Sequence, residues 1–215
     1  MNAHTAACLR AHPVVAILRG VPTEHLLPLG RALVSGGVRN LEVTFTDADA
    51  GDKIMALRQA LCTDAIVGAG TVTTRARAEA ALAAGSRFLV TPHVAYEVND
   101  FARERCVPVI SGATTPTEIA SALEQGCAFI KLFPAGPLGP DYLEALLGPY
   151  PGLEVFAVGG VGPKNARAFL QAGALGLGVG GALTTIDWSR PDWSGVTALA
   201  RSLSAAVAEF RASRP

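Results

Sequence analysis

Short apolar runs alternate with alanine-rich segments along nearly the whole chain of 215 residues. Eight runs have the continuous β-branched and aliphatic character of parallel strands buried on both faces: residues 14–18, 40–44, 65–68, 87–91, 108–111, 128–133, 155–158 and 176–179. Helical patterns separate them at residues 24–35, 52–61, 75–84, 96–104, 117–125, 141–147 and 164–172. Eight such units predict an α/β fold, a closed (β/α)8 TIM barrel. The alternative, an open doubly wound sheet, is disfavoured because no GxGxxG follows the first strand.

The organisation of the chain is uniform, with no linker, low-complexity segment or block of charge. We therefore predict a single compact barrel domain over residues 1–215, with a C-terminal helix near residues 194–211. Trp188 and Trp193 stand in the connection before that helix. Packing against the barrel is the favoured interpretation of these rings, and a subunit interface is the alternative.

Composition excludes several classes of partner. The formal net charge is zero, so the chain lacks the excess of positive charge that binds nucleic acid or an acidic membrane surface. No apolar stretch is long enough to span a membrane, and residues 1–12 lack the pattern of a signal peptide. We expect a cytoplasmic protein without nucleic-acid or membrane partners. The four cysteines are widely spaced and the histidines show no i, i+4 pairing, which predicts buried, reduced cysteines and no metal site.

Two charges stand inside runs that are predicted to be buried strands. Lys131 lies within residues 128–133, and Glu42 lies within residues 40–44. A buried ammonium is costly unless it is paired or deprotonated, and enzymes use such sites to bring a lysine pKa down to roughly 7–8, where the amine can attack a carbonyl. The alternatives are a lysine that reaches solvent from a strand end and a glutamate paired with a barrel arginine. Charged side chains on strands 2 and 6 can meet only in the mouth of the barrel. We therefore predict that Lys131 is a nucleophile and that Glu42 is its acid/base partner.

Further polar groups and glycines follow the carboxyl ends of the predicted strands, where barrel enzymes place their active sites. Glycines after strands 7 and 8 predict a phosphate-binding cradle, with simple tight turns as the alternative; they are Gly159, Gly160, Gly180 and Gly181. After strand 3, Gly68 and Gly70 would let a substrate approach closely, and Thr71 would hydrogen-bond it. Pro92 offers a rigid wall after strand 4.

On these residues the chain resembles the KDPG/KDPGal aldolase family, class I aldolases that cleave 2-keto-3-deoxy-6-phospho-sugar acids to pyruvate and glyceraldehyde 3-phosphate. The resemblance runs from about residue 13 to about residue 183. Its motifs are Leu41-Glu42-Val43-Thr44, Gly68-Ala69-Gly70-Thr71-Val72, Thr91-Pro92, Lys131-Leu132-Phe133-Pro134 and Val158-Gly159-Gly160-Val161. It implies a homotrimer of (β/α)8 barrels, a phosphorylated keto-deoxy sugar acid as substrate, and no metal or organic cofactor.

Carried over by residue, the resemblance implies that Lys131 forms the Schiff base and that Glu42 is the general acid/base. Thr71, Pro92 and Phe133 resemble the pocket around the pyruvyl unit, and Gly159 and Gly160 resemble the phosphate loop.

Several positions depart from the gluconate-type pattern. Thr46 stands where an arginine is typical, and Ala182 stands where many members have a phosphate-binding serine. Arg19 and Val158 resemble the galactonate branch, with Arg19 assisting Glu42 or the substrate carboxylate and Val158 facing C4 of the substrate. We therefore favour the 6-phosphogalactonate substrate, although residues 133–136 are closer to the gluconate pattern.

Other functions remain open at the level of sequence. The same mechanism would serve the 6-phosphogluconate epimer or 4-hydroxy-2-oxoglutarate. The glycine loops alone would also suit a sugar-phosphate isomerase or epimerase, with Glu42 as base and Lys131 as an electrostatic partner. In a third hypothesis the chain is a non-catalytic phosphosugar-binding barrel in which the two charges are structural.

Overall fold

Residues 2–213 are described by a computed structural model. Eight parallel strands close into a barrel in chain order, with β1 paired to both β2 and β8. The strands are β1 (Val14–Leu18), β2 (Asn40–Thr44), β3 (Ile66–Gly70), β4 (Leu89–Val90), β5 (Val109–Ala113), β6 (Phe129–Leu132), β7 (Val155–Val158) and β8 (Gly176–Val179). The predicted (β/α)8 barrel is confirmed.

Helices cover the outside of the barrel and one of its ends. They are α1 (Ala3–Ala11), α2 (Thr23–Ser35), α3 (Ala50–Leu61), α4 (Arg75–Ala83), α5 (Tyr96–Glu104), α6 (Pro116–Glu124), α7 (Ala135–Leu138), α8 (Pro140–Leu147), α9 (Ala166–Gln171), α10 (Gly181–Thr184) and α11 (Trp193–Ala212). None of the helices in residues 2–213 is long and apolar enough to cross a membrane. The extent of the domain over residues 1–215 stays a prediction, because residues 1, 214 and 215 lie outside the described part.

Two layers of apolar side chains hold the barrel together. The larger layer fills the space between strands and helices, as the continuous apolar strands require. The smaller fills the barrel interior, where the rings of Phe129 and Phe156 meet edge to face with centroids 5.8 Å apart. Ala6 and Leu9 of α1 belong to this inner layer, so α1 closes the amino-terminal end of the barrel. The opposite end remains available for a site.

Strand β4 is shorter than the predicted residues 87–91, although its pairing extends over the whole predicted run. The Arg87 amide donates to the Val67 carbonyl at 2.8 Å, and the Thr91 amide donates to the Ile110 carbonyl at 3.2 Å. At α2, Thr23 is the first helical residue, Pro22 is the N-cap, and no side-chain hydrogen bond caps the helix. The Thr23 hydroxyl instead donates to Asp49 Oδ2 at 2.9 Å.

The prediction of buried cysteines is wrong for Cys62 and Cys106, and Cys8 is only half-buried. Cys127 is buried, but Cys62 and Cys106 are exposed, each with a positive φ, 35° and 56°, just after a helix. A residue that ends a helix in this conformation faces solvent whatever its hydropathy. Trp188 and Trp193 are partly buried against the main core, and both rings contact His25, with centroids 5.4 and 5.9 Å from its ring.

Candidate active site

Lys131 occupies the third position of β6 and is 4% exposed. It pairs in register with Gly112 of β5 and Phe156 of β7. Its Nζ atom lies 5.0 Å from the centroid of the Phe133 ring. A β-carbon at Gly112 would overlap the backbone of Pro92 and His93, so the segment after β4 passes close to the strand beside Lys131. The lysine is therefore buried at the carboxyl-terminal end of the barrel, as the sequence predicts, whereas His93 is exposed.

Glu42 occupies the centre of β2 and is 2% exposed. Its Oε1 atom is buried and has no hydrogen-bond partner among residues 2–213. The carboxylate lies against Gly70, and a β-carbon at that position would overlap it. A β-carbon at Gly68 would likewise overlap the ring of Phe88. The prediction that Gly68 and Gly70 leave space for a substrate is therefore wrong, because protein side chains fill that space.

Glu42 and Lys131 shift each other's pKa although they form no direct ion pair. Burial raises the pKa of Glu42, and the positive charges of Lys131 and Arg19 oppose that shift. Burial lowers the pKa of Lys131, the Glu42 charge opposes the shift, and the Arg19 charge lowers the pKa further. Both neutral forms are favoured relative to water, which suits Lys131 to act as an uncharged amine and Glu42 to carry a proton.

Lys53 shows what a structural buried lysine looks like in the same protein. It is 6% exposed, although its sequence surroundings are polar, and its Nζ lies 3.0 Å from Asp47 Oδ2 and 2.9 Å from Asp49 Oδ1. Burial opposes its charge, but hydrogen bonds to Asp49 and Asp47 raise its pKa overall. Lys131 has no such carboxylate partner, and this difference marks it as the reactive candidate.

A cavity of about 440 Å³ opens beside Lys131. Its walls bring together eight of the residues that the sequence singles out: Arg19, Lys131, Phe133, Val158, Gly159, Gly160, Gly180 and Gly181. They come from the ends of β1, β6, β7 and β8. This volume suits a small phosphorylated acid.

The glycine loops after β7 and β8 form one wall of the cavity. Gly159 and Gly160 have φ values of 87° and 73°, which side-chain-bearing residues rarely adopt. A β-carbon at Gly159 would stand 2.9 Å from the Phe133 ring, and one at Gly136 would stand 2.9 Å from Gly160 Cα. The loop is therefore held closely against the segment that follows β6, with its backbone facing the cavity.

Three predicted site residues do not line this cavity. Glu42 lies beneath it at Gly70, and Pro92 is half-buried beside Gly112. Thr71 is half-buried directly after β3 with a φ of 56°, and its carbonyl accepts a hydrogen bond from Arg77 Nη1 at 3.2 Å.

Other cavity-lining residues were not singled out from the sequence. Thr184 and Thr185 line the wall near Ala182, with the Thr184 hydroxyl 3.2 Å from the Gly180 carbonyl oxygen. Ile17, Val161 and Gly178 also line the cavity, as does Ala182 itself. The two threonines follow Gly180 and Gly181 by about one helical turn, which is the signal that could have identified them.

A closed (β/α)8 barrel with an unpaired buried lysine, a buried carboxylate and a glycine-lined cavity at the carboxyl ends of its strands defines a class of barrel enzymes that act through an amine nucleophile. A family model described as "KDPG and KHG aldolase" matches residues 5–199. The chain belongs to this family. It is a class I aldolase, a carbon–carbon lyase, whose family acts on phosphorylated keto-deoxy sugar acids.

Individual relatives carry the names of both sugar epimers. The chain is 38% identical over 201 residues to a 2-dehydro-3-deoxy-phosphogluconate aldolase of Treponema pallidum, covering 90% of this chain and 91% of the relative. It is 35% identical over 169 residues to the 2-dehydro-3-deoxy-6-phosphogalactonate aldolase of Escherichia coli, covering 78% and 82%. A Legionella pneumophila KDPG aldolase, solved with pyruvate captured as a covalent carbinolamine, superposes with a TM-score of 0.82 at 28% identity over 92% of this chain and 96% of that one.

Proposed function

We propose that this aldolase cleaves 2-dehydro-3-deoxy-6-phosphogalactonate to pyruvate and glyceraldehyde 3-phosphate through an imine on Lys131. The observation that carries the proposal is the position of Lys131: it is buried, lacks a carboxylate partner within ion-pair distance, and opens onto the 440 Å³ cavity. Burial holds its pKa below the usual range, so more of the amine is unprotonated at a given pH.

The proposed reaction begins when Lys131 Nζ attacks the C2 ketone and forms a carbinolamine, which loses water to give a protonated imine. Glu42 supplies the proton that leaves with this water. It then removes the proton of the C4 hydroxyl as the C3–C4 bond breaks, and the electron pair moves into the imine to form an enamine. Glyceraldehyde 3-phosphate is released. Protonation at C3 and hydrolysis of the imine return pyruvate and the free lysine.

The remaining cavity residues are assigned to binding. In the proposed complex Arg19, which lines the cavity, holds the substrate carboxylate, and its charge lowers the pKa of Lys131. Phe133 encloses the pyruvyl unit, and the family resemblance adds Thr71 and Pro92 to this pocket. Backbone N–H groups at Gly159, Gly160, Gly180 and Gly181 bind the phosphate, with hydroxyls of Thr184 and Thr185 on the same wall.

The preference for the galactonate epimer rests on Val158, which lines the cavity at the end of β7 and carries no hydroxyl to bond C4. The gluconate epimer is the second candidate, supported by the Phe133-Pro134-Ala135-Gly136 sequence and by the Treponema relative. A homotrimer and a cytoplasmic location also remain proposals, supported by the family resemblance.

Borohydride reduction in the presence of pyruvate tests the imine. Reduction of the imine converts it to a stable secondary amine, so peptide mapping should find a pyruvyl-derived mass on Lys131. Lys53 is the internal control, because it is equally buried but paired, and we expect it to stay unmodified. Absence of an adduct on Lys131 at saturating pyruvate would refute the mechanism.

A further inference from the structure

A second cavity lies at the opposite end of the barrel from Lys131. It measures about 870 Å³, roughly twice the volume beside the lysine. Asn40 and Ile66, the first residues of β2 and β3, line it together with His4 and Cys8 of α1. We call this space the basal cavity. The proposed aldolase reaction uses none of its lining residues.

Three arginines line the basal cavity against one carboxylate, that of Asp64. They come from separate parts of the chain: Arg39 directly precedes β2, Arg58 lies in the last turn of α3, and Arg87 lies two residues before β4. The basal cavity is therefore an electropositive space assembled only by the closure of the barrel.

The positive charges of this space are poorly neutralised by the protein. Arg39 Nη1 donates to the main-chain carbonyl of Asp64 at 2.7 Å and not to its carboxylate. The guanidinium groups of Arg58 and Arg87 form no ion pair or hydrogen bond with other described residues. Both residues are exposed, and the guanidinium of Arg58 lies against Gly85 at the edge of the cavity. Two sets of guanidinium donors on the cavity lining therefore have no acceptor among the described protein groups.

Of these three arginines, Arg39 acts on the charge of His12, which also lines the basal cavity. Burial lowers the pKa of His12, and the charges of Arg39 and Arg211 lower it further. Like charges around one cavity repel each other, so an anion placed between them is stabilised. The planar guanidinium fork matches the oxygen geometry of a phosphate group.

We propose that the basal cavity binds a small anionic ligand with at least two phosphate groups. Two guanidiniums without protein partners come from different elements, and Arg39 lines the same cavity, so the lining offers more than one position for a negative charge. The volume leaves room for an organic portion beyond the phosphates. The ligand would bind at the end of the barrel that the aldolase substrate does not occupy.

The chain contains its own reporter for this site. Cys62 and Cys106 are both exposed, but only Cys62 lines the basal cavity. The rate of alkylation by iodoacetamide at each thiol, measured by peptide mass spectrometry, can be followed while inorganic pyrophosphate or ADP is added. We expect either probe to slow alkylation of Cys62 about tenfold in a saturable manner and to leave Cys106 unchanged. Sodium chloride at equal ionic strength is the salt control.

Variants then connect the protection to the arginines. Arg58→Gln/Arg87→Gln should raise the probe concentration needed for half-protection at least about tenfold, because charge-assisted hydrogen bonds are lost. Arg31→Gln, an exposed arginine on α2 outside the cavity, should behave as wild type. If circular dichroism shows that the double variant is unfolded, the single Arg87→Gln variant at an exposed position takes its place.

Each outcome of these experiments either supports or overturns the proposal. Saturable protection of Cys62 that weakens in the arginine variants supports the proposal. No protection by either probe up to about 10 mM, protection that only follows ionic strength, or protection that is equal in wild type and the arginine variants would overturn it. None of these measurements depends on an imine at Lys131, so the result is independent of the proposed reaction.

Discussion

The carboxylate of Glu42 lies against Cα of Gly70, in the space that a side chain at position 70 would fill. Gly70→Ala should therefore push the carboxylate away from its position while leaving the barrel closed. Because proton transfer by a positioned group contributes about 10²–10⁴-fold, we expect kcat for the phosphogalactonate substrate to fall by about 10²-fold or more. The control is Gly51→Ala in α3, where the new β-carbon would lie an ordinary 3.8 Å from Ala84 Cβ. Wild-type kcat in Gly70→Ala would show that the contact does not position Glu42.

Replacement of Glu42 by glutamine tests the proton transfer itself. Glutamine keeps the shape but cannot exchange a proton, so kcat should fall by about 10²–10⁴-fold while borohydride trapping on Lys131 remains detectable and slow. Glu97→Gln, on the exposed surface of α5, provides the control for loss of a carboxylate. A nearly normal rate in Glu42→Gln would demote Glu42 to a structural role.

The two buried lysines should respond oppositely to replacement by methionine. Lys131→Met should abolish turnover but leave the melting temperature equal or higher, because the apolar side chain replaces a buried amine that has no carboxylate within ion-pair distance. Lys53→Met leaves Asp47 and Asp49 without their shared cation, and we expect it to lower the free energy of unfolding by about 1–3 kcal/mol. Denaturant unfolding and activity assays on both variants check this. Substantial turnover in Lys131→Met would mean that another group carries the chemistry.

The pH dependence of imine formation should depend on Arg19. Burial and the Arg19 charge both lower the pKa of Lys131, so the midpoint for pyruvate-dependent borohydride trapping should lie below about 10.4, the value for a free lysine. Removal of the positive charge in Arg19→Gln stabilises the protonated amine, which moves the midpoint to higher pH. Arg201→Gln on the exposed face of α11 should leave it unchanged. A midpoint that stays fixed in Arg19→Gln would contradict the electrostatic coupling.

Substrate stereochemistry should respond to Val158, which lines the cavity at the end of β7. A wall without a hydrogen-bond partner discriminates between C4 epimers by shape alone, about 1–3 kcal/mol, so we expect cleavage of both epimers with the galactonate favoured. Val158→Thr adds a hydroxyl and should shift the ratio of kcat/KM towards the gluconate epimer. Val161→Thr makes the same change elsewhere on the wall and is the control. An unchanged ratio in Val158→Thr would remove the main support for the galactonate preference.

Much of the fold could be predicted because parallel strands buried on both faces leave continuous apolar runs. The bounds of β1, β2, β7 and β8 agree with the sequence pattern, and β3, β5 and β6 are shifted by one or two residues. Helix α1 was not predicted, since its nine residues alternate alanine with polar groups and only a few of them become buried in the barrel end. Its helical state depends on that packing, which no local pattern records.

The site residues likewise divide into those that the sequence identifies and those whose contacts appear only in the folded structure. Lys131 and Glu42 are visible in the sequence because a charge inside an apolar strand contradicts its surroundings. The pairing of Lys53 was hidden, because its carboxylate partners lie in a polar segment that looks solvated until the chain folds.

The amino-acid sequence alone determined the succession of strands and helices that is typical of a (β/α)8 barrel, and the two buried charges, because each of these follows from the pattern within single segments. The tertiary structure decided which groups face each other across space: the carboxylate of Glu42 against Gly70, Thr184 and Thr185 on the cavity wall, and three arginines around the basal cavity. These contacts join segments that are distant in the chain. They depend on the distances that barrel closure imposes, and those distances leave no periodic trace in any single stretch of sequence.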